Sequence, residues 1–178
     1  MNPPTITFIS FGLFDKGFLE KISETVSQEY NCTVVMKDAR IDISEYYDPV
    51  RRQYNGDKLL REVDSMQIPE TSKVIGLFNV DLYIPILTYI FGQAQLGGRT
   101  GIASLYRLSN ERYGIANDDA ILLERCTKEV IHELGHLFGL IHCHTPTCVM
   151  RSSTYVEDID QKEAQLCLKC RAELGMVY

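Results

Sequence analysis

The sequence has little that would suit a membrane protein or a nucleic-acid-binding protein. None of its apolar runs reaches the roughly 18 consecutive residues that a membrane-spanning helix needs. Its 18 lysine and arginine residues are scattered among 24 aspartate and glutamate residues, which gives a formal net charge of −6. No basic stripe is therefore present to contact a phosphate backbone. We expect no membrane partner and no nucleic-acid partner.

The N-terminus lacks the basic start of a secretory signal peptide. The first strand is predicted from about Thr5, which leaves no room for an inhibitory pro-segment before it. These features favour a cytoplasmic protein made in its mature form.

The 178 residues contain no repeat, low-complexity tract or linker, and this length is adequate for one domain with its own core.

The order of the predicted elements favours an α/β fold. The first half alternates strands and helices as βαβαβ, which favours a parallel sheet with right-handed crossovers. Two further strands flank the Gly97-Gly98 pair, which suits a hairpin turn, so one of them is expected at an antiparallel edge. The predicted strands span 5–11, 32–36, 74–78, 88–91 and 102–108, and the predicted helices span 16–30, 57–66, 119–138 and about 160–174.

The segment 132–142, which reads HELGHLFGLIH, has the spacing of a zinc site. His132 and His136 lie four residues apart, so on a helix both imidazoles point the same way and can reach one ion. Glu133 lies beside that face without being a ligand. It can take a proton from a water that zinc has made more acidic.

Gly139 is predicted to end this helix, because glycine tolerates the left-handed conformation that reverses a chain. His142 can then return as a third ligand. Three protein ligands leave one position open, as in catalytic zinc sites. Met150 follows eight residues later and either fills a gap in the core or packs beneath the histidines, and the zinc motif favours the second interpretation.

Four of the six cysteines are crowded into the C-terminal part of the chain. They form two close pairs separated by a loop, which predicts a closed, structural four-thiolate zinc site. Disulfides or free thiols are the alternative, and His144 could compete as a ligand. Cys32 and Cys126 are expected to be small buried apolar residues. The four predicted ligands are Cys143, Cys148, Cys167 and Cys170.

The run from His132 to Cys143, with Cys148-x-Met150 and Cys167-x-x-Cys170 after it, resembles the archaemetzincins, a family in the metzincin clan of zinc peptidases. The resemblance implies a twisted, mixed five-stranded sheet over an active-site helix at 1–139, with a smaller zinc-stabilised subdomain at 140–178. It also implies two zinc ions per chain. One is catalytic, on the three histidines with Glu133 as general base, and the other is structural, on the four cysteines.

One position departs from the wider clan. Many metzincins outside this family place a tyrosine two residues after the methionine, whereas Ser152 stands there in this sequence. Tyr155 is nearby but out of register, so the group that stabilises the oxyanion is left unassigned.

The first functional hypothesis is a zinc-dependent peptidase that cleaves short or unfolded polypeptides. An extended substrate would pair with an edge strand within 89–95. The alternative is a zinc-stabilised peptide-binding or scaffold protein with little or no turnover. Hydrolysis of a non-peptide amide would use the same residues.

Overall fold

The computed structural model describes residues 4–176. Two short 3-10 turns occupy Ser44–Tyr46 and Asn110–Tyr113. The strands and helices, in chain order, are β1 (Thr5–Phe11), α1 (Lys16–Tyr30), β2 (Thr33–Ala39), β3 (Tyr47–Asp48), β4 (Gln53–Asn55), α2 (Gly56–Asp64), β5 (Ser72–Phe78), β6 (Leu82–Tyr83), β7 (Gly92–Ala94), β8 (Thr100–Ser104), α3 (Asp119–Leu137), α4 (Val156–Asp160) and α5 (Leu168–Glu173).

The main sheet has five strands in the spatial order β2-β1-β5-β8-β7. The first three pairs in this order are parallel, and β7 pairs with β8 in the antiparallel sense. Strands β3, β4 and β6 form a second, small sheet. The prediction of an α/β fold with a mixed five-stranded sheet and an antiparallel edge strand is confirmed.

Helices cover both faces of the main sheet. Successive side chains of a strand point to opposite faces. Ile6 and Phe8 of β1 accordingly join one buried cluster with α1 and α3, while Ile9 and Phe11 join another with α2. Helix α3, which carries the predicted zinc motif, is thus packed against one face of the sheet beside α1.

The edge strand lies slightly later in the chain than predicted. The predicted strand at 88–91 is wrong, because Ile90 makes only an isolated antiparallel bridge to Leu82 and the ladder begins at Gly92. The hairpin turn is confirmed. Gly97 has a φ of +64°, and the amide of Gly98 donates to the carbonyl oxygen of Gln95 at 2.8 Å.

The single C-terminal helix predicted at 160–174 is also wrong, since two short helices, α4 and α5, flank a non-helical stretch of turns and bends. Backbone groups of this stretch form hydrogen bonds with another segment of the chain and not within a helix. Glu163 donates to the carbonyl of Thr147 at 2.9 Å, and the carbonyl of Gln165 accepts from Val149 at 3.0 Å. The stretch is therefore held against the loop that follows α3.

Helix α3 begins and ends at the residues that cap it. The Asp118 side chain accepts hydrogen bonds from the amides of Ala120 and Ile121, both at 3.0 Å. At the other end Gly139 has a φ of +100°. Its amide donates to His136, and the Leu140 amide donates to Gly135 at 2.9 Å, which is the bonding pattern of a Schellman motif.

The residues after α3 share the core of the sheet. Met150, Ile159 and Cys170 belong to the same buried cluster as Ile6 and Phe8. The division of a single domain at residue 139 into two subdomains stays a prediction. Within residues 4–176, no helix combines the length and apolar character needed to cross a membrane.

Replacing Gly139 by alanine should strain the chain reversal, because a side chain disfavours a positive φ by about 1–2 kcal/mol. We expect Gly139→Ala to lower the free energy of unfolding by about that amount and to weaken retention of zinc by the histidines. Denaturant unfolding and elemental analysis measure the two effects.

Gly175 offers a matched control, since it has a φ of +69° and the same bonding pattern after α5. Gly175→Ala should cost similar stability while the histidines keep their metal. Equal metal loss in the two variants would contradict a specific role for the reversal at Gly139.

Candidate metal centre

The structure brings together the three histidines of the sequence motif. The ligand nitrogens of His132, His136 and His142 all lie within 4.8 Å of one another. The Nε2 atoms of His132 and His136 are 3.1 Å apart. Two ligands of a tetrahedral zinc at 2.0–2.1 Å are separated by about 3.3 Å, so the spacing fits a shared ion.

Backbone carbonyls orient two of the imidazole rings. His132 Nδ1 donates to the Val149 oxygen at 2.8 Å, and His136 Nδ1 donates to the Leu140 oxygen at 2.7 Å. Each bond fixes the tautomer that leaves Nε2 as a lone-pair donor, which is the usual arrangement of metal-binding histidines.

The electrostatic surroundings keep the histidines neutral. Burial lowers the pKa of His132 well below its usual value, and the charge of Lys162 adds to the effect. Partial loss of hydration also lowers the pKa of His136 and of His142. Neutral imidazole is the form that binds a metal ion.

The chain reversal after α3 delivers the third histidine. His142 is exposed, and its ring centroid lies 5.3 Å from that of His132 and 5.0 Å from that of His136. The amide of the next residue, Cys143, donates to the carbonyl of Met150 at 2.9 Å. This bond ties the irregular segment that carries His142 to the turn that carries the methionine.

Met150 packs against the middle of the zinc motif. Its side chain is fully buried against Gly135, where an added methyl group would overlap Sδ and come within 2.9 Å of Cε. Gly135 lies between the two helical histidines in sequence. The contact agrees with the predicted position of Met150 beneath the histidines.

Glu133 lies in the same centre and is only 4% exposed. Burial raises the pKa of Glu133 well above its usual range, and the neighbouring Glu129 carboxylate raises it further. Among the residues that the structure describes, Oε2 of Glu133 has no hydrogen-bond partner. Its Oε1 lies beneath the edge strand, 2.7 Å from where a Cβ on Gly92 would be.

A cleft of about 670 Å³ runs over these groups. Edge strand β7 and residues 152–155 both line the cleft. Ser152 and Tyr155 both line it, as does Tyr89, whose hydroxyl donates to the Thr154 carbonyl at 2.8 Å. The predicted edge within 89–95 therefore borders the histidines. The residues that line the cleft at or near the histidines are Gly92, Gln93, Ala94, Glu129, His132, Glu133, His136, His142, Ser152, Tyr155 and Lys162.

The four C-terminal cysteines form a second cluster. All four Sγ atoms lie within 4.8 Å of one another, and the pairs Cys143–Cys167 and Cys148–Cys170 are each separated by 3.8 Å. Sulfurs of a disulfide lie about 2.05 Å apart. Thiolates on a tetrahedral zinc at 2.3 Å lie about 3.8 Å apart, so the cluster fits a four-thiolate site.

Amide groups point at these sulfurs. Thr145 donates to Cys143 Sγ and Cys167 donates to Cys148 Sγ, both at 3.4 Å. Burial opposes ionisation of Cys167, yet hydrogen bonds involving Cys170 and Thr145 bring the pKa of its thiol down to about 6. A thiolate is the form that binds zinc.

The remaining candidates lie outside both clusters. His144 is exposed and belongs to neither group of ligands. Cys32 and Cys126 are buried with free thiols, as predicted for small apolar residues.

Two ionisable residues of the cleft, Glu129 and Lys162, were not predicted from the sequence. Glu129 lies one helical turn before Glu133, so the spacing of four residues could have revealed it. Lys162 reaches the centre from the stretch between α4 and α5, and no local pattern marks it.

The chain is similar in sequence to the members of one peptidase family. A sequence model of peptidase family M54 matches residues 14–176. An archaemetzincin from Thermococcus kodakarensis is 34% identical over 175 residues, covering 95% of this chain and 94% of that protein. An archaemetzincin from Methanopyrus kandleri is 39% identical over 155 residues, covering 86% and 84%.

Solved structures show the same fold. A crystal structure of a zinc-dependent peptidase from Methanocorpusculum labreanum is 32% identical with a TM-score of 0.86, covering 95% of this chain and 99% of that one. The crystal structure of the Methanopyrus kandleri archaemetzincin is 32% identical with a TM-score of 0.84, covering 96% and 93%.

The contact between Gly135 and Met150 predicts strong coupling between these positions. Gly135→Ala should destabilise the protein by roughly 1–3 kcal/mol, because the new methyl group overlaps the Met150 thioether. The penalty should shrink in a Met150→Ala background, where that atom is absent. Denaturant unfolding of the two single variants and the double variant measures the coupling, and strictly additive penalties would contradict it.

Proposed function

The chain belongs to peptidase family M54, the archaemetzincins, and we propose that it hydrolyses peptide bonds with Glu133 as the general base. The observation that carries this proposal is the convergence of three histidines and a buried glutamate in a cleft bordered by an edge strand.

Two zinc ions per chain are part of the proposal. His132, His136 and His142 would hold the catalytic ion. When bound there, zinc supplies a Lewis acid that makes a water nucleophilic near neutral pH and polarises a carbonyl. A structural ion would occupy the closed cysteine site and stabilise the fold. Its four ligands would be Cys143, Cys148, Cys167 and Cys170.

Glu133 would accept a proton during attack and deliver it to the leaving amine. Its position supports this role, because the carboxylate is next to the histidines yet is no ligand.

An extended polypeptide would lie in the cleft with its backbone paired to the free edge of β7. Gly92 brings the backbone of that strand close to Glu133 and has no side chain to fill the gap. A paired substrate would therefore pass directly over the proposed base. Short or unfolded polypeptides present such an extended segment.

The packing of Met150 against Gly135 supports membership of the metzincin clan. A cytoplasmic location stays a prediction from the sequence, as does the lack of a nucleic-acid partner.

Glu133→Gln tests the proposed base, since it preserves shape and removes the basic carboxylate. Peptidase activity should fall by about 10²–10⁴-fold, the usual effect of losing a general acid–base group, while zinc content stays the same. The measurement is kcat/KM on a peptide identified from a library digest, with zinc determined in the same samples.

Glu173→Gln, at an exposed position on α5, is the control and should leave turnover unchanged. Equal turnover by wild type and Glu133→Gln, at equal zinc content, would rule out Glu133 as the base. A wild-type protein that binds peptides and cleaves none would favour the scaffold alternative.

A further inference from the structure

Lys162 is a buried lysine in the cleft, and neither metal site includes it as a ligand. Its side chain is 3% exposed and lines the cleft together with His132 and Glu133. Lysine is almost never fully buried unless its ammonium group has partners. The identity of those partners indicates what Lys162 does.

The ammonium group bonds to the backbone on both sides of Met150. Nζ donates to the Arg151 carbonyl at 2.8 Å and to the Val149 carbonyl at 3.1 Å. The Val149 oxygen is also the acceptor for His132 Nδ1, at 2.8 Å. A carbonyl oxygen has two lone pairs, so the lysine and the histidine can share it.

The charge of Lys162 faces two buried carboxylates. Glu129 and Glu133 both come from α3, and each is at most 5% exposed. Within residues 4–176, no other lysine or arginine lines the cleft. Lys128, a buried lysine of α3, instead forms an ion pair with Glu124. A buried carboxylate is costly without a compensating charge, and Lys162 supplies that charge in this cleft.

We propose that Lys162 is a positioning residue of the histidine metal site, which fixes the Val149 carbonyl and so orients His132. The same two bonds hold the backbone of Met150 beneath the histidines. The lowered pKa of Lys162, caused by burial and opposed by the carboxylates of Glu129 and Glu133, accords with this placement. The inference rests on the metal site of the proposed function but does not require turnover.

The test is zinc affinity measured by competition with a chromophoric chelator. The His142→Ala variant lacks a histidine ligand, so the zinc that it retains measures the cysteine site. Subtracting this zinc from the total bound by each other variant gives the zinc bound by the histidine site. We expect Lys162→Met to weaken zinc binding by the histidines about tenfold or more, as is typical when a group that orients a metal ligand is lost. Lys162→Arg keeps the cation and its donors and should recover most of that loss.

Lys73 provides a matched control for general destabilisation. Its Nζ also bridges two carbonyls, donating to Gly98 at 2.5 Å and to Leu137 at 2.9 Å, and it does not line the cleft. Lys73→Met should lower the melting temperature yet leave zinc affinity within about twofold of wild type, because it orients no metal ligand.

Wild-type affinity in Lys162→Met, or an equal loss in Lys73→Met, would overturn the proposal. If Lys162→Met does not fold, Lys162→Gln keeps an N–H donor without the charge, and wild-type affinity in that variant would overturn the proposal equally. Weakened zinc binding in a protein that cleaves no peptide would contradict the proposed function and still support this role for Lys162.

Discussion

The reversal of the chain at Gly139 is the constraint on which both candidate metal sites depend. It ends α3 directly after two of the histidines and sends the chain back, so that His142 joins them. The next residue, Cys143, belongs to the other cluster. His142 and Cys143 are adjacent in sequence but belong to different sets of ligands. A shift of the backbone at these residues would therefore disturb both sets at once.

Hydrogen bonds from distant parts of the chain hold the loop after this reversal. The Met150 carbonyl accepts from the amide of Cys143, and the Val149 carbonyl accepts from both His132 and Lys162. Farther out, Glu29 of α1 accepts from the Leu166 amide at 2.9 Å and bonds to Arg171 at 2.6 Å. The loop that builds the site is therefore held in position by hydrogen bonds from α3 and from the C-terminal residues. Rigid support of this kind is what a metal centre needs to keep its ligands in place.

Local patterns in the sequence predicted the parts of the molecule that local physics controls. The bounds of β1 and α1 follow from periodicity and side-chain chemistry close in sequence. The spacing of histidines and cysteines predicted the two clusters, because the ligands of a zinc ion recur at characteristic spacings along a chain. The stretch at 161–167 was wrongly predicted as helix, since its backbone partners at 147–149 lie far away in sequence. Lys162 was missed for the same reason, as its role depends on contacts and not on a pattern.

The most direct test of two separate metal sites is anomalous diffraction from crystals of the purified protein, measured on both sides of the zinc absorption edge. Two zinc peaks per chain are expected. One should lie about 2.0–2.1 Å from a nitrogen of each of His132, His136 and His142, and the other about 2.3 Å from four cysteine sulfurs. A single peak, or disulfide bonds among Cys143, Cys148, Cys167 and Cys170, would contradict the account.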